Sequence, residues 1–127
     1  GALKLKEVSY IHADAYIAGE LKHGPIALIE KDTPIIALLT EDRLKDKMIS
    51  NIREVVTRGA KVLGIAIEGD EDAKEVCDDI VYIPRTNPLL TPVLSVVTLQ
   101  LIAYYMAKQK ACDVDKPRNL AKSVTVE

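Results

Sequence analysis

A lysine close to the C-terminus, Lys122, is the first residue in this sequence whose side chain could do covalent chemistry. It lies in a segment whose helix breakers, among them Pro117 and Asn119, are typical of a loop. A deprotonated lysine in a partly desolvated site can attack a carbonyl carbon and form a Schiff base. A solvated lysine without a chemical role is the ordinary alternative, because lysines are rarely buried without a partner. The residue and its surroundings leave both interpretations open.

Two places near the N-terminus could transfer protons. Lys4 and Glu7 are three residues apart, so on a helix they share a face. Such a pair can be a base beside a cation, suited to proton abstraction next to a carbonyl or imine, or simply an exposed ion pair. His23 precedes Gly24 and could act as an acid or base at an exposed turn, or interact with helix-end carbonyls. His12 has no comparable context, and we interpret it as structural.

Several familiar signatures are absent from the sequence. It contains no P-loop, G-x-G-x-x-G, H-E-x-x-H or G-x-S-x-G motif, and no Ser/Thr-rich loop that opens a helix to hold a phosphate. Cys77 and Cys112 lack metal-ligand spacing, and we expect two free thiols. We therefore expect neither a metal nor a cofactor.

Composition narrows the class of protein. The 127 residues suit one domain, and the net charge of −2 with mixed signs argues against nucleic-acid binding. Residues 1–10 carry charges where a signal peptide would be apolar. The most apolar helical pattern, residues 92–108, is short and is interrupted by Ser95, Thr98 and Gln100, so we do not expect it to span a membrane. A cytoplasmic protein is the expectation.

The hydrophobic pattern predicts the elements that position these residues. Continuous apolar runs such as P-I-I-A-L-L are typical of strands buried on both faces of a sheet. Thr40 and Thr91 are suited to cap helices, and the last helix is apolar nearly all round, so we expect it to be buried. Residues 27–29 could be a short strand or a helical turn. The predicted strands are 34–39, 62–67 and 80–83, and the predicted helices are 1–21, 41–58, 72–77 and 92–108.

Alternating strands and helices predict an α/β fold with a parallel sheet. No strand precedes the first helix, and the chain begins with Gly1 rather than Met, so we expect that the first strand lies upstream. The last fifteen residues, 113–127, interleave four apolar residues with polar ones, a pattern that predicts a tail docked on the rest of the protein. The four are Val114, Leu120, Val124 and Val126.

Two long motifs, one at each end of the chain, carry a family resemblance. Residues 4–25 read K-L-K-E-V-S-Y-I-H-A-D-A-Y-I-A-G-E-L-K-H-G-P, and residues 113–127 read D-V-D-K-P-R-N-L-A-K-S-V-T-V-E. Together they resemble the glucosamine-6-phosphate synthase family, also called glutamine–fructose-6-phosphate aminotransferases. The resemblance covers essentially the whole chain, although the middle is more loosely similar.

The resemblance implies a fold and an activity. It implies an SIS-type (sugar isomerase) three-layer α/β/α fold with a parallel sheet that lacks its first strand. Residues 1–112 would be the second SIS subdomain of the isomerase part, and residues 113–127 its active-site tail. The family converts fructose 6-phosphate and glutamine-derived ammonia to glucosamine 6-phosphate.

The resemblance also implies roles for individual residues. Lys122 would form a Schiff base with the open-chain ketose, Glu7 would move a proton between C1 and C2, and Lys4 would assist near the substrate. His23 would help to open the sugar ring, reaching the active site of the neighbouring subunit of a homodimer. Ala121 would bind substrate together with Lys4, Glu7 and Lys122.

Two departures limit what the chain can do alone. The family's phosphate-binding Ser/Thr loop belongs to the first SIS subdomain, so we expect full activity to need that subdomain and the glutaminase domain, and this chain by itself to be inactive. Cys112 stands at the end of the long helix, where the family often has Gly.

A non-catalytic phosphosugar-binding SIS domain of a transcriptional regulator, or a purely structural fragment, is the alternative. A regulator would have no need of the complete Lys-Glu-His-Lys set.

Overall fold

The computed structural model describes residues 1–118. Contacts within the chain divide it into two compact units. The first unit contains Gly1–Ala15 and the residues from Val96 onward, and the second contains Tyr16–Ser95. The predicted sheet lies in the second unit, and the Lys4–Glu7 pair lies in the first.

Three parallel strands form the sheet in the order β1-β2-β3. They are β1 (Pro34–Leu39), β2 (Lys61–Ile67) and β3 (Asp79–Ile83). Parallel pairing requires a crossover between consecutive strands, and α2 (Lys45–Val56) supplies the first one. The three strand predictions and the α/β class are confirmed, with strand ends that differ by at most one residue. An earlier strand stays a prediction.

The core of the second unit lies between α2 and the sheet. Ile52 and Val55 of α2 are each 2% exposed, and they belong to the same buried cluster as Val62 and Ala66 of β2. Full burial of such a side chain contributes about 1.5–3 kcal/mol. Leu44, directly before α2, is by contrast 54% exposed.

The beginning of α2 differs from the prediction. Thr40 does not cap the helix, because a 3-10 turn over Asp42–Leu44 comes first and α2 begins only at Lys45. No side chain caps either segment. The residues after Val56 turn through Gly59, whose φ of +93° favours glycine. A Cβ there would also meet the Lys31 Cα at 3.0 Å.

The first predicted helix is shorter than expected. Ala2–Lys4 form α1, and a π-helical turn over Leu5–Ser9 continues it; together they are called the N-terminal helix. It ends at Tyr10, whose left-handed backbone (φ 56°, ψ 28°) cannot continue a right-handed helix. The helix predicted to run on to residue 21 is therefore wrong: residues 11–17 are irregular, despite their alanines.

Other short segments adopt 3-10 turns. Two successive turns cover Ala18–His23 and Pro25–Leu28, so the open question at residues 27–29 resolves as a helical turn and not a strand. The predicted helix 72–77 is a 3-10 turn over Asp72–Glu75. Both cysteines are free, as predicted.

The prediction that the last helix is buried is wrong. This helix, α3 (Thr91–Gln109), buries only small residues, among them Ala103 and Ala107. Most of its larger side chains are exposed, whereas Leu94, Leu99 and Ile102 are half-buried. The exposed ones are Val93, Val96, Val97, Leu101, Tyr104, Tyr105 and Met106. Across residues 1–118, the length and apolarity that a membrane-crossing helix needs are not met together in any helix.

The residue that ends α3 is Ala111 and not Cys112. Ala111 has a φ of 53°, and the Cys112 N–H donates to the Ala107 carbonyl at 2.9 Å across this left-handed residue. This bond satisfies a carbonyl of the last turn, as in a Schellman motif. The left-handed position that would favour glycine is therefore Ala111, one residue before Cys112.

Candidate functional site

Lys4 and Glu7 face each other on the N-terminal helix. The Lys4 Nζ lies 2.6 Å from the Glu7 Oε2, and the two side chains are 46% and 21% exposed. The prediction that they share a helical face is confirmed. An exposed pair at this spacing stabilises a helix by only about 0.2–0.5 kcal/mol, so the pair contributes little to the stability of the fold. Its chemical capacity is that of a proton acceptor beside a cation.

The helix that carries this pair has an unusual end. Glu7 lies in the π-helical turn Leu5–Ser9, a conformation found frequently at functional sites. Ser9 is fully buried and its hydroxyl donates to the Leu5 carbonyl at 2.7 Å. The Lys110 ammonium donates to the Ser9 carbonyl at 2.6 Å. A lysine 101 positions away thus satisfies the carbonyl that the left-handed Tyr10 leaves without a helical partner.

The described start of the tail, residues 113–118, lies beside the same helix end. The Asp113 Oδ1 accepts hydrogen bonds from the N–H groups of Asp115 and Lys116, both at 3.0 Å, and so forms a local turn. The Tyr10 hydroxyl accepts a hydrogen bond of 2.9 Å from the Arg118 N–H. The Arg118 guanidinium carbon lies 4.1 Å from the centre of the Tyr10 ring. The predicted docking of the tail is thus observed for this described part.

An open cavity of about 230 Å³ lies beside this arrangement, within the first unit. Lys4 contributes a charged group to it, and the start of the tail closes one side. The volume is below the roughly 300–1,000 Å³ of small-molecule sites. Its lining residues are Lys4, Val8, Gln100, Ala103, Tyr104, Val114 and Asp115.

The other predicted site residues are not brought into this group by the described structure. Lys122 and Ala121 lie outside the described residues. His23 ends the 3-10 turn Ala18–His23 in the second unit, with its side chain 65% exposed and its Nε2 4.0 Å from the Glu20 Oε2. It is accessible to a ligand or to another subunit, and its function stays a prediction.

A cluster of ion pairs follows the carboxyl end of β2, and the side chain of its central aspartate, Asp70, is buried. The Lys45 Nζ is 2.7 Å from both the Asp70 Oδ1 and the Asp72 Oδ2. The hydrogen bond to Asp70, and then that to Asp72, raise the pKa of Lys45 well above its usual value. An amine held in its charged form is a poor nucleophile, so we interpret Lys45 as a structural residue. A cavity of about 380 Å³ nearby is lined by Asp46, Ile49, Arg53, Asp72 and Glu75, none of them a predicted site residue.

Sequence reasoning missed Ser9, Tyr10, Lys110 and Arg118. Their contacts join residues about a hundred positions apart, and no periodicity reports such pairs. The one available signal was the position of Lys110 just after the predicted helix 92–108, because a cation near the end of a helix often satisfies carbonyls. No group of three His, Cys, Asp or Glu residues among residues 1–118 is placed to hold a metal ion.

Three parallel strands, with α2 crossing between the first two, define an α/β protein. The family model of the SIS domain matches residues 1–108, and the chain belongs to that family.

The curated relatives that match are named as isomerizing aminotransferases. The chain is 66% identical over 127 residues to glutamine–fructose-6-phosphate aminotransferase (isomerizing) of Clostridium acetobutylicum, a match that covers 100% of this chain and 21% of that protein. The chain therefore spans about a fifth of the length of such relatives. This similarity confirms the resemblance carried by the two terminal motifs.

Solved structures agree with the family. The C-terminal domain of glucosamine-fructose-6-phosphate aminotransferase from Francisella tularensis matches with a TM-score of 0.80 and 42% identity, over 89% of this chain and 32% of that one. Glucosamine-6-phosphate deaminase from Thermotoga maritima matches with a TM-score of 0.73 and 26% identity, over 98% of this chain and 35% of that one.

Proposed function

We propose that this chain is the C-terminal SIS subdomain of a glutamine–fructose-6-phosphate aminotransferase (isomerizing). It contributes to the site that converts fructose 6-phosphate and glutamine-derived ammonia into glucosamine 6-phosphate. The observation that carries the proposal is the 66% identity, over all 127 residues of this chain, to a relative named for that activity. A regulatory phosphosugar sensor has no comparable observation in its favour. Residues 1–112 form the subdomain and residues 113–127 its active-site tail.

The chemistry divides among a few side chains. The amine of Lys122 adds to the carbonyl carbon of the open-chain ketose, and loss of water gives a Schiff base. Glutamine-derived ammonia then adds to the imine carbon and displaces the Lys122 amine. Glu7 moves a proton from C1 to C2 of the resulting sugar imine, with Lys4 beside it. The 2.6 Å contact between Lys4 and Glu7 supports this assignment, because it orients the carboxylate beside a cavity that Lys4 lines. Ala121 contacts the substrate next to Lys122.

Ring opening and assembly involve the second unit. His23 transfers the proton that opens the sugar ring, and it does so in the active site of a second subunit of a homodimer. Its 65% exposed side chain, at a turn before Gly24, is compatible with reaching across a subunit interface.

The chain depends on further protein for activity. It spans a fifth of its relatives' length, and α3 exposes most of its large apolar side chains. Both facts support the proposal that the first SIS subdomain and a glutaminase domain complete the enzyme, and that the 127-residue chain alone forms no glucosamine 6-phosphate. The assembled protein is cytoplasmic.

Borohydride reduction in the presence of fructose 6-phosphate tests the covalent step. In the full-length enzyme that contains this chain, we expect the peptide with Lys122 to gain the reduced sugar, and Lys122→Arg to remain unlabelled. Glu7→Gln should still be labelled but should lose product formation by about 10²–10⁴-fold, because an amide cannot accept the proton.

Lys108→Arg makes the same chemical change on α3 and serves as the control, with labelling and activity retained. Equal labelling of Lys122→Arg and the unmodified enzyme would sink the Schiff-base assignment. Full product formation by Glu7→Gln would remove Glu7 from the proton transfer.

A further inference from the structure

We propose that Tyr10 is a positioning residue that fixes the start of the tail against the helix carrying Lys4 and Glu7. Its partner is Arg118, and the two contacts between them are called the Tyr10–Arg118 clamp. Through the clamp, the chain sets the separation between the proton-transfer pair and the tail lysine. This consequence for catalysis rests on the function proposed above, whereas the clamp itself does not.

The clamp consists of two interactions with different requirements. The Arg118 backbone N–H donates to the Tyr10 hydroxyl at 2.9 Å, so one contact holds the main chain of the tail. The Arg118 guanidinium carbon lies 4.1 Å from the ring centre, within the range of a cation–π interaction. One contact needs the hydroxyl and the other needs the ring, so substitutions can remove them separately.

Tyr10 is held in a conformation that its residue type disfavours. A φ of 56° places it in the left-handed region, where a side chain with a Cβ is strained. Strained residues persist where their surroundings determine the conformation, and they cluster at functional sites. Here the Tyr10 N–H donates to the Leu5 carbonyl, and Lys110 holds the neighbouring Ser9 carbonyl. The left-handed residue thus stands where the helix stops, and its side chain contacts Arg118 there.

The clamp lies close in sequence to every proposed catalytic group of the first unit. Tyr10 follows Glu7 by three residues, and Arg118 precedes Lys122 by four. The clamp therefore fixes the described point from which the chain continues toward Lys122. Tyr10 itself is not a catalytic residue in this scheme, since it touches the tail and no reacting atom.

Hydrogen–deuterium exchange at the Arg118 amide tests the clamp without reference to any activity. In the full-length enzyme, Tyr10→Phe removes the acceptor and keeps the ring, so the Arg118 amide should exchange about tenfold faster. Tyr82→Phe removes the same atom from a tyrosine of β3, whose hydroxyl donates to the Asp70 carbonyl, and should leave the Arg118 amide unchanged. Unchanged protection of the Arg118 amide in Tyr10→Phe would overturn the clamp.

The rate of borohydride labelling at Lys122 tests the positioning role. Tyr10→Phe and Arg118→Gln, which each lose one contact, should slow labelling by fructose 6-phosphate about tenfold, because a misplaced reacting group loses rate even when substrate still binds. The KM for fructose 6-phosphate should stay near that of the unmodified enzyme. Tyr10→Leu, which loses both contacts, should be slower still, and adding Arg118→Gln to it should have no further effect.

The outcomes separate the two proposals. If the unmodified enzyme is not labelled at Lys122, the proposed function fails, while the exchange rates still decide whether the clamp exists. If Tyr10→Phe exposes the Arg118 amide yet labels at the unmodified rate, the positioning role is wrong. If Tyr10→Phe does not fold, Arg118→Gln decides, since normal labelling in that variant overturns the role of the guanidinium contact.

Discussion

At the scale of single residues, the sequence predicts contacts along a helix and misses contacts across the chain. Lys4 and Glu7 were found because a spacing of three has a fixed meaning on a helix. Asp78, by contrast, accepts a hydrogen bond from the Val62 N–H at 2.8 Å and pairs with Lys61 at 2.9 Å. Nothing about an aspartate in a turn indicates that it will tie down a strand sixteen residues earlier.

Asp78 leads to a prediction about pH. The hydrogen bond from the Val62 N–H, followed by that from Lys61, lowers the pKa of Asp78 below its ordinary value. A depressed pKa in the folded state means that the stabilisation is present above the unfolded pKa, near 4, and is lost as the pH falls through the folded value. Asp78→Asn should therefore flatten the acid side of the stability profile, measured by urea unfolding between roughly pH 2 and 6.

The neighbouring Asp79→Asn is the control for this experiment. It removes an exposed carboxylate next to Asp78 in the sequence while leaving the bond to the Val62 N–H intact. Its stability should fall with acid as that of the unmodified protein does. An identical acid profile for Asp78→Asn and Asp79→Asn would contradict the assignment.

At the scale of elements, the strands were predictable and the helix ends were not. Apolar runs report burial on both faces of a sheet, so β1, β2 and β3 appeared nearly at their observed limits. Helix ends depend on partners outside the helix. The N-terminal helix stops where Lys110 holds the Ser9 carbonyl, and alanine-rich composition after Tyr10 could not reveal that contact.

Gly64 in β2 shows how closely the central strand is packed. A Cβ at this position would lie 2.8 Å from the Cys77 Sγ and 3.4 Å from the Leu39 Cδ1. We expect Gly64→Ala to lower the free energy of unfolding by about 1–3 kcal/mol, the usual cost of overpacking a core. Urea unfolding of the chain measures this change.

A second substitution tests whether the sulfur is the cause. Cys77→Ala removes the Sγ, so the double variant Gly64→Ala/Cys77→Ala should be less destabilised than the sum of the two single variants. Gly19→Ala is the control, because a Cβ there would have no neighbour within 4 Å. Additive effects of Gly64→Ala and Cys77→Ala would show that the clash lies elsewhere.

At the scale of the whole molecule, the sequence predicted the family but misjudged one surface. A helix that is apolar on all sides usually lies inside a protein, and that rule led to the expectation that α3 is buried. The rule concerns the complete protein, whereas the chain spans a fifth of its relatives' length. The residues that would cover this helix need not belong to these 127, so its exposure here does not conflict with the rule.

The exposed face of α3 predicts how the isolated chain behaves in solution. Val97, Leu101 and Tyr105 recur every four residues and are 47%, 50% and 61% exposed, so they form one apolar strip. Contiguous apolar surface of this kind promotes association. We expect the isolated chain to bind a hydrophobic dye and to gain mass with concentration in sedimentation experiments, and Val97→Gln/Leu101→Gln to reduce both. Leu28→Gln, which removes one apolar side chain from a different surface, should reduce neither.

In the full-length enzyme the same double substitution should instead lower the unfolding temperature, because there the strip would be in contact with protein and not with water. Equal dye binding by the isolated chain and its double variant would show that α3 is not the associating surface.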